Sequence, residues 1–222
     1  MGIRRGPNIV QSGLVLSLDA GNVRSYPGSG TTWKNLAGPS GNATLTNGAT
    51  FASANKGVIE FDGSNDYATM VSPGSYSEYT FSFYCKWLTS VTYNRIFGLD
   101  NFGTYTVFSP NDVGFHYNPL GGSPPSTTLS SGVNVGFGNW CEVTVSISAA
   151  GSLVIIYIDG IARNSTNLIP GGNLSGNIYL GAQNTLGLTS NCYIGSFKLY
   201  NRALTASEIL QNYNMTKSRF GK

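Results

Sequence analysis

The chain has 222 residues, of which 10% are charged, 12% are aromatic and 29 are glycine. The many aromatic and β-branched residues exclude a disordered chain, and the scarcity of lysine and glutamate disfavours a helical bundle. The net charge of +3 comes from the chain ends: without Arg4, Arg5, Lys217, Arg219 and Lys222 the 13 basic residues fall to eight, against ten acidic ones.

Alternation of polar and apolar residues predicts a series of short strands. In residues 80–87 every second side chain is large and apolar, and residues 140–147 repeat this pattern. Asp159-Gly160 predicts a tight hairpin after the apolar run 153–158, because this pair tolerates positive φ angles. The expected strands are Leu14–Leu18, Val58–Phe61, Tyr67–Val71, Thr80–Trp87, Arg95–Leu99, Gly114–Tyr117, Trp140–Ile147, Leu153–Ile158, Ile178–Gly181 and Tyr193–Tyr200.

One helix is predicted near the C-terminus. Thr205 and Glu208 have the spacing of a capping box, which places the helix over residues 206–214. The residues expected to anchor it on the domain are Leu204, Ile209, Leu210 and Tyr213. In contrast, residues 118–138 are rich in Gly, Pro and Ser and predict a long surface loop.

Many short strands separated by turns are typical of two antiparallel sheets packed face to face. We expect an all-β sandwich over residues 13–215, with a basic N-terminal arm (1–12) and a basic C-terminal tail (216–222). The longest apolar run, 153–158, is far shorter than a membrane helix, and no apolar segment of signal-peptide length follows the N-terminal arginines. The sequence therefore predicts a protein made in a cytoplasm.

Five segments carry more specific patterns. Residues 193–209 form an alternating strand that ends in Tyr-Asn-Arg-Ala-Leu-Thr before the capped helix. Residues 58–67 contain Phe-Asp-Gly-Ser-Asn-Asp-Tyr, read as a hairpin, and residues 156–160 read Ile-Tyr-Ile-Asp-Gly. With residues 14–20 and 32–38, these segments resemble, in chain order, the laminin-G-like, concanavalin A-like domains. The resemblance implies a two-sheet antiparallel jelly-roll sandwich with one short C-terminal helix.

Both chain ends resemble versions of this domain found in virion proteins of tailed bacteriophages. The resemblance implies a non-enzymatic structural or adhesion module of the virion, such as a capsid decoration or a head, neck or tail appendage. A lectin that binds host-surface glycans is the alternative. Expected partners are capsid or fibre proteins, host-surface glycans and further copies of the chain, but neither nucleic acid nor a membrane.

The docking candidates on an acidic partner surface are Arg4, Arg5, Lys217, Arg219 and Lys222. Two solvated chain ends are the alternative interpretation. No basic stripe with interleaved aromatic residues supports a nucleic-acid site.

Catalysis is not expected. Glucanases of the superfamily resemble one another in a Glu-x-Asp strand followed by a second Glu, but Ser64 and Asn65 occupy the later positions after Glu60 and Asp62. The single histidine, His116, has no readable triad around it, and no cofactor is required.

Two candidate binding sites remain. Asp62, Asn65 and Asp66 are candidates for a weak Ca²⁺ site, to which Gln183-Asn184 could contribute, with hairpin capping by Asx turns as the alternative. Glycan-binding candidates are Tyr105, His116, Tyr117 and Asn118. A core or oligomer contact is the alternative for these residues.

Overall fold

The computed structural model describes residues 8–89, 95–99, 105–108, 111–117, 127–167, 173–183 and 188–222, and only the backbone of 105–108, 117 and 127. Arg4, Arg5, Asn118 and Asn184 lie outside these ranges. The strands are β1 (Leu14–Asp19), β2 (Thr32–Trp33), β3 (Ala43–Thr46), β4 (Thr50–Ala52), β5 (Val58–Asp62), β6 (Tyr67–Val71), β7 (Tyr79–Trp87), β8 (Arg95–Leu99), β9 (Tyr105–Phe108), β10 (Gly114–Tyr117), β11 (Thr127–Ser130), β12 (Cys141–Ser148), β13 (Leu153–Ile158), β14 (Ile161–Thr166), β15 (Asn177–Leu180) and β16 (Asn191–Tyr200). The helices are α1 (Ala206–Thr216) and two short 3₁₀ helices, Ala54–Lys56 and Lys217–Phe220.

Within the described residues the strands form two eight-stranded antiparallel sheets, which confirms the predicted sandwich. Sheet A has the order β14-β13-β12-β7-β16-β5-β4, and β1 also pairs with β16. Sheet B has the order β11-β10-β9-β8-β15-β6-β3-β2. The sandwich brings distant parts of the chain together, because β16 near the C-terminus pairs with β1, β5 and β7.

Aromatic rings fill the core between the two sheets. Phe81 and Phe83 of sheet A face Phe97 of sheet B, with ring centroids 4.2 and 5.9 Å from that of Phe97. Phe115 lies 5.7 Å from Phe81, and Phe197 lies 6.0 Å from Phe97. The alternation read in residues 80–87 thus identifies the inward face of β7 correctly.

The opposite face of β7 is also buried, although the sequence predicts a half-buried strand. Thr80 and Tyr84 are fully buried there, because the C-terminal residues cover the outer face of sheet A. The ring of Phe220 lies 4.1 Å from that of Tyr84 and 4.7 Å from that of Trp140. Residues 216–222, expected as a basic tail, therefore pack against the sandwich.

Two further expectations need correction. The predicted loop 118–138 contains strand β11, which pairs with β10. The predicted hairpin 58–67 is not a hairpin, because β5 belongs to sheet A and β6 to sheet B. Residues 63–66 consequently connect the two sheets at one rim of the sandwich.

The capping box of α1 is confirmed. The Thr205 hydroxyl accepts from the Glu208 amide at 3.3 Å, and the Glu208 carboxylate accepts from the Thr205 amide at 2.9 Å. Ile209 is buried, but Leu210 is 44% exposed, so its predicted anchoring role is wrong. Nowhere in the described ranges is there a helix with the length and apolarity needed to span a membrane.

The described N-terminal residues lie against α1. The Val10 amide donates to Asn212 Oδ1 at 2.8 Å, and Gln211 Nε2 donates to the Asn8 carbonyl at 2.6 Å. Tyr200 joins the N-terminal residues to α1, because its hydroxyl donates to the Val10 carbonyl at 3.1 Å and accepts from Asn212 Nδ2 at 3.0 Å. The described residues of both chain ends thus lie against the outer face of sheet A.

Candidate functional site

Residues 63–66, which connect β5 and β6, form a tight turn at the rim of the sandwich; we call it the rim turn. Asp62 Oδ1 accepts from the Ser64 amide at 2.7 Å, which is the geometry of an Asx turn. Asp66 Oδ2 accepts from the Asp62 amide at 3.2 Å. The two aspartates therefore shape the backbone of the turn, as the alternative interpretation of this cluster expected.

Two neighbouring loops fasten this turn. The Thr189 hydroxyl donates to the Gly63 carbonyl at 2.6 Å, and Asn47 Nδ2 donates to the Asn65 carbonyl at 3.1 Å. The loops after β3, β5 and β15 therefore meet at one rim of the sandwich. Asp62 and Asn65 are exposed there, whereas Asp66 is buried.

The residues proposed for calcium are only partly suited to it. Burial raises the pKa of the Asp66 carboxyl, and the nearby charges of Asp62 and Glu60 raise it further, against the lowering effect of the Asp62 amide. Among the described residues, Asp66 Oδ1 and Gln183 Oε1 are buried acceptors without a hydrogen-bond partner, which would suit a cation. However, the described part of the chain contains no group of three or more His, Cys, Asp or Glu that could hold a metal. The calcium site stays a prediction.

The outward face of sheet B carries a row of hydroxyl-bearing side chains. The backbone register aligns one residue from each strand across the sheet, so that the row runs Thr32, Thr44, Thr69, Tyr179, Gly98, Thr106, His116 and Thr128. The next row, which contains Leu45, Ala68, Leu180, Phe97, Phe115 and Leu129, is buried in the core. We call the side chains of Thr32, Thr44, Thr69, Tyr179, His116 and Thr128 the sheet B face; all are exposed or half-buried.

Two tyrosines connect the sheet B face to the rim turn. Tyr67 and Tyr179 are half-buried neighbours on β6 and β15, with ring centroids 6.1 Å apart and planes tilted by 49°. Tyr67 directly follows Asp66, so its ring lies beside the loops that meet at the rim. Aromatic faces next to hydroxyl and amide groups can bind a ligand that has both apolar faces and polar edges.

The glycan-binding candidates are only partly brought together. His116 lies on the sheet B face, where its Nδ1 is 2.9 Å from the Thr128 hydroxyl. Burial lowers the pKa of His116, and the positive charge of Arg95 lowers it further. Tyr105 and Tyr117 pair through their backbones with Leu99 and Thr127. Their side chains, like all of Asn118, lie outside the described residues.

Tyr67 and Tyr179 are not among the binding candidates that the sequence indicated. Each tyrosine lies at an outward position of a strand that was correctly predicted, which is the available signal. Their proximity could not be read from the sequence, because β6 and β15 are more than 100 residues apart along the chain.

The basic residues at the C-terminus are held by the domain itself. Arg219 pairs with Asp19, and its Nε donates to the Asn55 carbonyl at 2.7 Å. Lys222 Nζ lies 2.9 Å from Asp159 Oδ2, and Lys217 Nζ lies 5.3 Å from the centre of the Tyr213 ring. The guanidinium of Arg219 thus makes contacts within the fold, and the docking role of Arg219, Lys217 and Lys222 stays a prediction.

Comparison with known proteins identifies the family. The family described as the concanavalin A-like lectin/glucanases superfamily matches residues 61–210, more than half of the chain. The protein therefore belongs to this family of two-sheet sandwich domains. A comparison with curated protein sequences finds no match.

Solved structures with the same fold include several binding domains. The binding domain of Paraclostridial Mosquitocidal Protein 1 has a TM-score of 0.72 at 16% identity, over 92% of this chain and 52% of that one. The botulinum neurotoxin type G receptor binding domain has a TM-score of 0.69 at 17% identity, over 92% and 51%. This chain thus spans about half the length of those toxin domains.

A third similar structure is a domain of comparable size. Domain 4 of AbnA, a GH43 extracellular arabinanase from Geobacillus stearothermophilus solved in complex with arabinotriose, has a TM-score of 0.69 at 16% identity. The match covers 90% of this chain and 98% of that one. At such identities the likeness shows a shared fold, which by itself assigns no ligand.

Proposed function

We propose that this protein is a non-catalytic adhesion module of a bacteriophage virion and that it binds its target through the sheet B face and the adjoining rim turn. The observation that carries the proposal is the asymmetry of the sandwich. The C-terminal residues cover the outer face of sheet A, whereas sheet B presents a row of exposed and half-buried polar side chains. Similar folds described as binding domains support a role in recognition.

The contacts of the glutamates support a role without catalysis. Retaining glycoside hydrolysis needs two carboxyl groups about 5–5.5 Å apart on either side of a bound sugar. Glu208 is part of the helix cap, Glu78 accepts from the Ala150 amide at 2.9 Å, and Glu142 is 1% exposed. The fourth glutamate, Glu60, is half-buried on β5, and Ser64 and Asn65 stand at the later positions where the glucanase pattern has its second Glu.

The virion assignment comes from the resemblance of the chain ends, and it has a direct test. Mass spectrometry of purified particles of the bacteriophage that encodes this chain should detect the protein at a stoichiometry fixed from one preparation to the next. Detection in the host lysate but not in density-purified particles would contradict the assignment.

Docking on the particle is a separable part of the proposal. Deleting residues 1–12 should reduce incorporation into particles if the basic arm docks on an acidic virion surface. Unchanged incorporation of the truncated chain would exclude the arm as the attachment point. The matched control is Arg24→Gln, which removes an exposed positive charge outside the two chain ends and should leave incorporation unchanged.

A glycan is the second candidate for the target, and Tyr67 with Tyr179 favours it. Sugar rings have apolar faces that pack on aromatic rings and hydroxyl edges that hydrogen-bond to side chains such as Thr69. The AbnA domain, which has the same fold, was solved in complex with arabinotriose. A glycan array with the wild-type protein, read with and without EDTA, should show a restricted set of bound sugars. A blank array would favour a purely structural role, and loss of signal in EDTA would favour the calcium site.

A further inference from the structure

A cleft lies on the opposite side of the molecule from the sheet B face. It is enclosed by β1, by β16 and by the end of α1 with the following 3₁₀ helix, and its volume is about 430 Å³. Ser17, Ser196 and Lys198 line it on the sheet side, and Thr216 and Arg219 line it on the helix side. We call this space the C-terminal cleft.

Lys198 is an unusual residue in this cleft. It is 4% exposed, and its Nζ has no hydrogen-bond partner among the described residues. The hydroxyl of Ser196, which is 5% exposed, also lacks a partner. A buried ammonium group without hydrogen bonds is costly, so a group that satisfies it should bind favourably.

The charges around Lys198 leave the cleft positive. Arg219 is balanced by its ion pair with Asp19, and the exposed Lys56 adds a second positive charge at the edge. Glu142 acts on Lys198 from β12, but the described residues show no carboxylate oxygen within 4.0 Å of its Nζ. Burial lowers the pKa of Lys198, while Glu142 and Asp19 partly offset this effect.

We propose that the C-terminal cleft binds a small oxyanion, a carboxylate or a phosphate, through the ammonium group of Lys198 and the hydroxyl of Ser196. Both groups can donate hydrogen bonds to one anion, and charge-assisted bonds of this kind are the strong ones in proteins. The volume of the cleft falls within the range of small-molecule sites. This site is separate from the proposed binding surface on sheet B, so the two can be tested independently.

The test uses thermal unfolding of the full chain with sodium phosphate or sodium acetate, against sodium chloride at equal ionic strength. Phosphate stabilises most folded proteins non-specifically, so the readout is the difference between wild type and Lys198→Met. The wild-type Tm should rise with anion concentration in a saturable way, whereas the Met variant should show only the non-specific slope. The two salts distinguish which oxyanion the cleft prefers.

Lys198→Met should itself be folded, with a Tm in chloride at least equal to that of wild type, because an unpartnered buried charge is replaced by an apolar side chain of similar length. Lys86→Met is the matched control, since Lys86 lies on the same sheet face but over Trp140 and Tyr193. It should keep the full anion response.

A second variant, Ser196→Ala, should weaken the anion affinity about tenfold in calorimetry. An equal anion response in wild type and Lys198→Met, or an unchanged affinity in Ser196→Ala, would overturn the proposal.

Discussion

At position 195, a contact with a residue that is distant in the sequence requires glycine. A Cβ atom at this position would lie 2.5 Å from the ring of Phe220, which is far closer than carbon atoms can approach. The glycine in the closing strand therefore leaves space for the C-terminal aromatic ring. The sequence shows the glycine, but not the ring that requires it.

This contact predicts a strong coupling between the two residues. Phe220→Ala should lower the free energy of unfolding by about 3 kcal/mol, and Gly195→Ala by about 2 kcal/mol. In the double variant the alanine methyl at position 195 can occupy space left by the ring, so the combined loss should be clearly smaller than the sum. Urea unfolding of the four proteins measures this cycle, and strict additivity would show that the ring does not rest on Gly195.

The ion pair of the helix cap predicts a pH dependence. Hydrogen bonds from Arg202, and also from Thr205, lower the pKa of Glu208 from 4.5 to about 2. Since the folded-state pKa is depressed, the stabilisation is complete above about pH 4.5 and is lost as the pH falls towards 2. Glu208→Gln should cost about 1 kcal/mol at pH 7 and nothing near pH 2, measured by chemical denaturation. A cost that does not change with pH would contradict this account.

The buried carboxyl group of Glu142 predicts a pH dependence of the free energy of unfolding that has the opposite sign. Burial raises its pKa from 4.5 to about 7, although the charge of Lys198 partly opposes the shift. Because the folded state holds this proton more tightly, the free energy of unfolding should decrease as the pH rises from about 4.5 to 7. Glu142→Gln should remove this decrease and be more stable than wild type at pH 8 by at least about 1 kcal/mol. If the Gln variant is less stable at pH 8, Glu142 is better stabilised as an anion than its burial suggests.

Helix α1 shows what local patterns reveal and what they omit. The capping box and the staple residue Leu204 were readable from the sequence, because both depend on neighbours within one turn. Which side of the helix faces sheet A depends on contacts with β13, β16 and residues 8–10, so Leu210 was wrongly expected to be an anchor. Asn212, a polar residue, is buried instead, because it binds the Val10 amide.

Substitution of the adjacent residues Ile209 and Leu210 tests which side of α1 faces sheet A. Ile209→Ala should reduce the free energy of unfolding by about 2–4 kcal/mol, because Ile209 is 1% exposed. Leu210→Ala should change it by less than about 0.5 kcal/mol, because Leu210 is 44% exposed. Equal losses in thermal or urea unfolding would mean that α1 is rotated relative to the sheet.

The strands were predicted to the extent that their side chains alternate. All ten expected strands are present, with ends within two residues, because each has an apolar face that the core must bury. Six strands were missed. Five of them, β2, β3, β4, β9 and β11, are two to four residues long and too short to show alternation. The sixth, β14, has six residues that are all exposed or half-buried, so it has no apolar face. The change of sheet between β5 and β6 was also unreadable, because the turn sequence of a hairpin and of a crossing connection is similar here.

The sandwich as a unit has two unlike outer surfaces. Among the described residues, the outer face of sheet A is covered by residues 8–10 and by the C-terminal segment, which border the C-terminal cleft, while the sheet B face is exposed or half-buried and rich in hydroxyl groups. The sequence pattern predicted the strands that carry Thr69, His116 and Tyr179, but not those that carry Thr32, Thr44 and Thr128. Their alignment into one row required the register of all eight strands, which is a property of the folded chain.

The most direct test of the proposed binding surface is binding to host cells by the wild type and by the double variant Tyr67→Ala/Tyr179→Ala. Phe137→Ala is the control, because Phe137 is an aromatic residue of 37% exposure in a loop away from that surface. The double variant should remain folded by circular dichroism and lose at least tenfold in cell binding, whereas the control should bind like the wild type. Full binding by the folded double variant would show that the target is recognised elsewhere on the molecule.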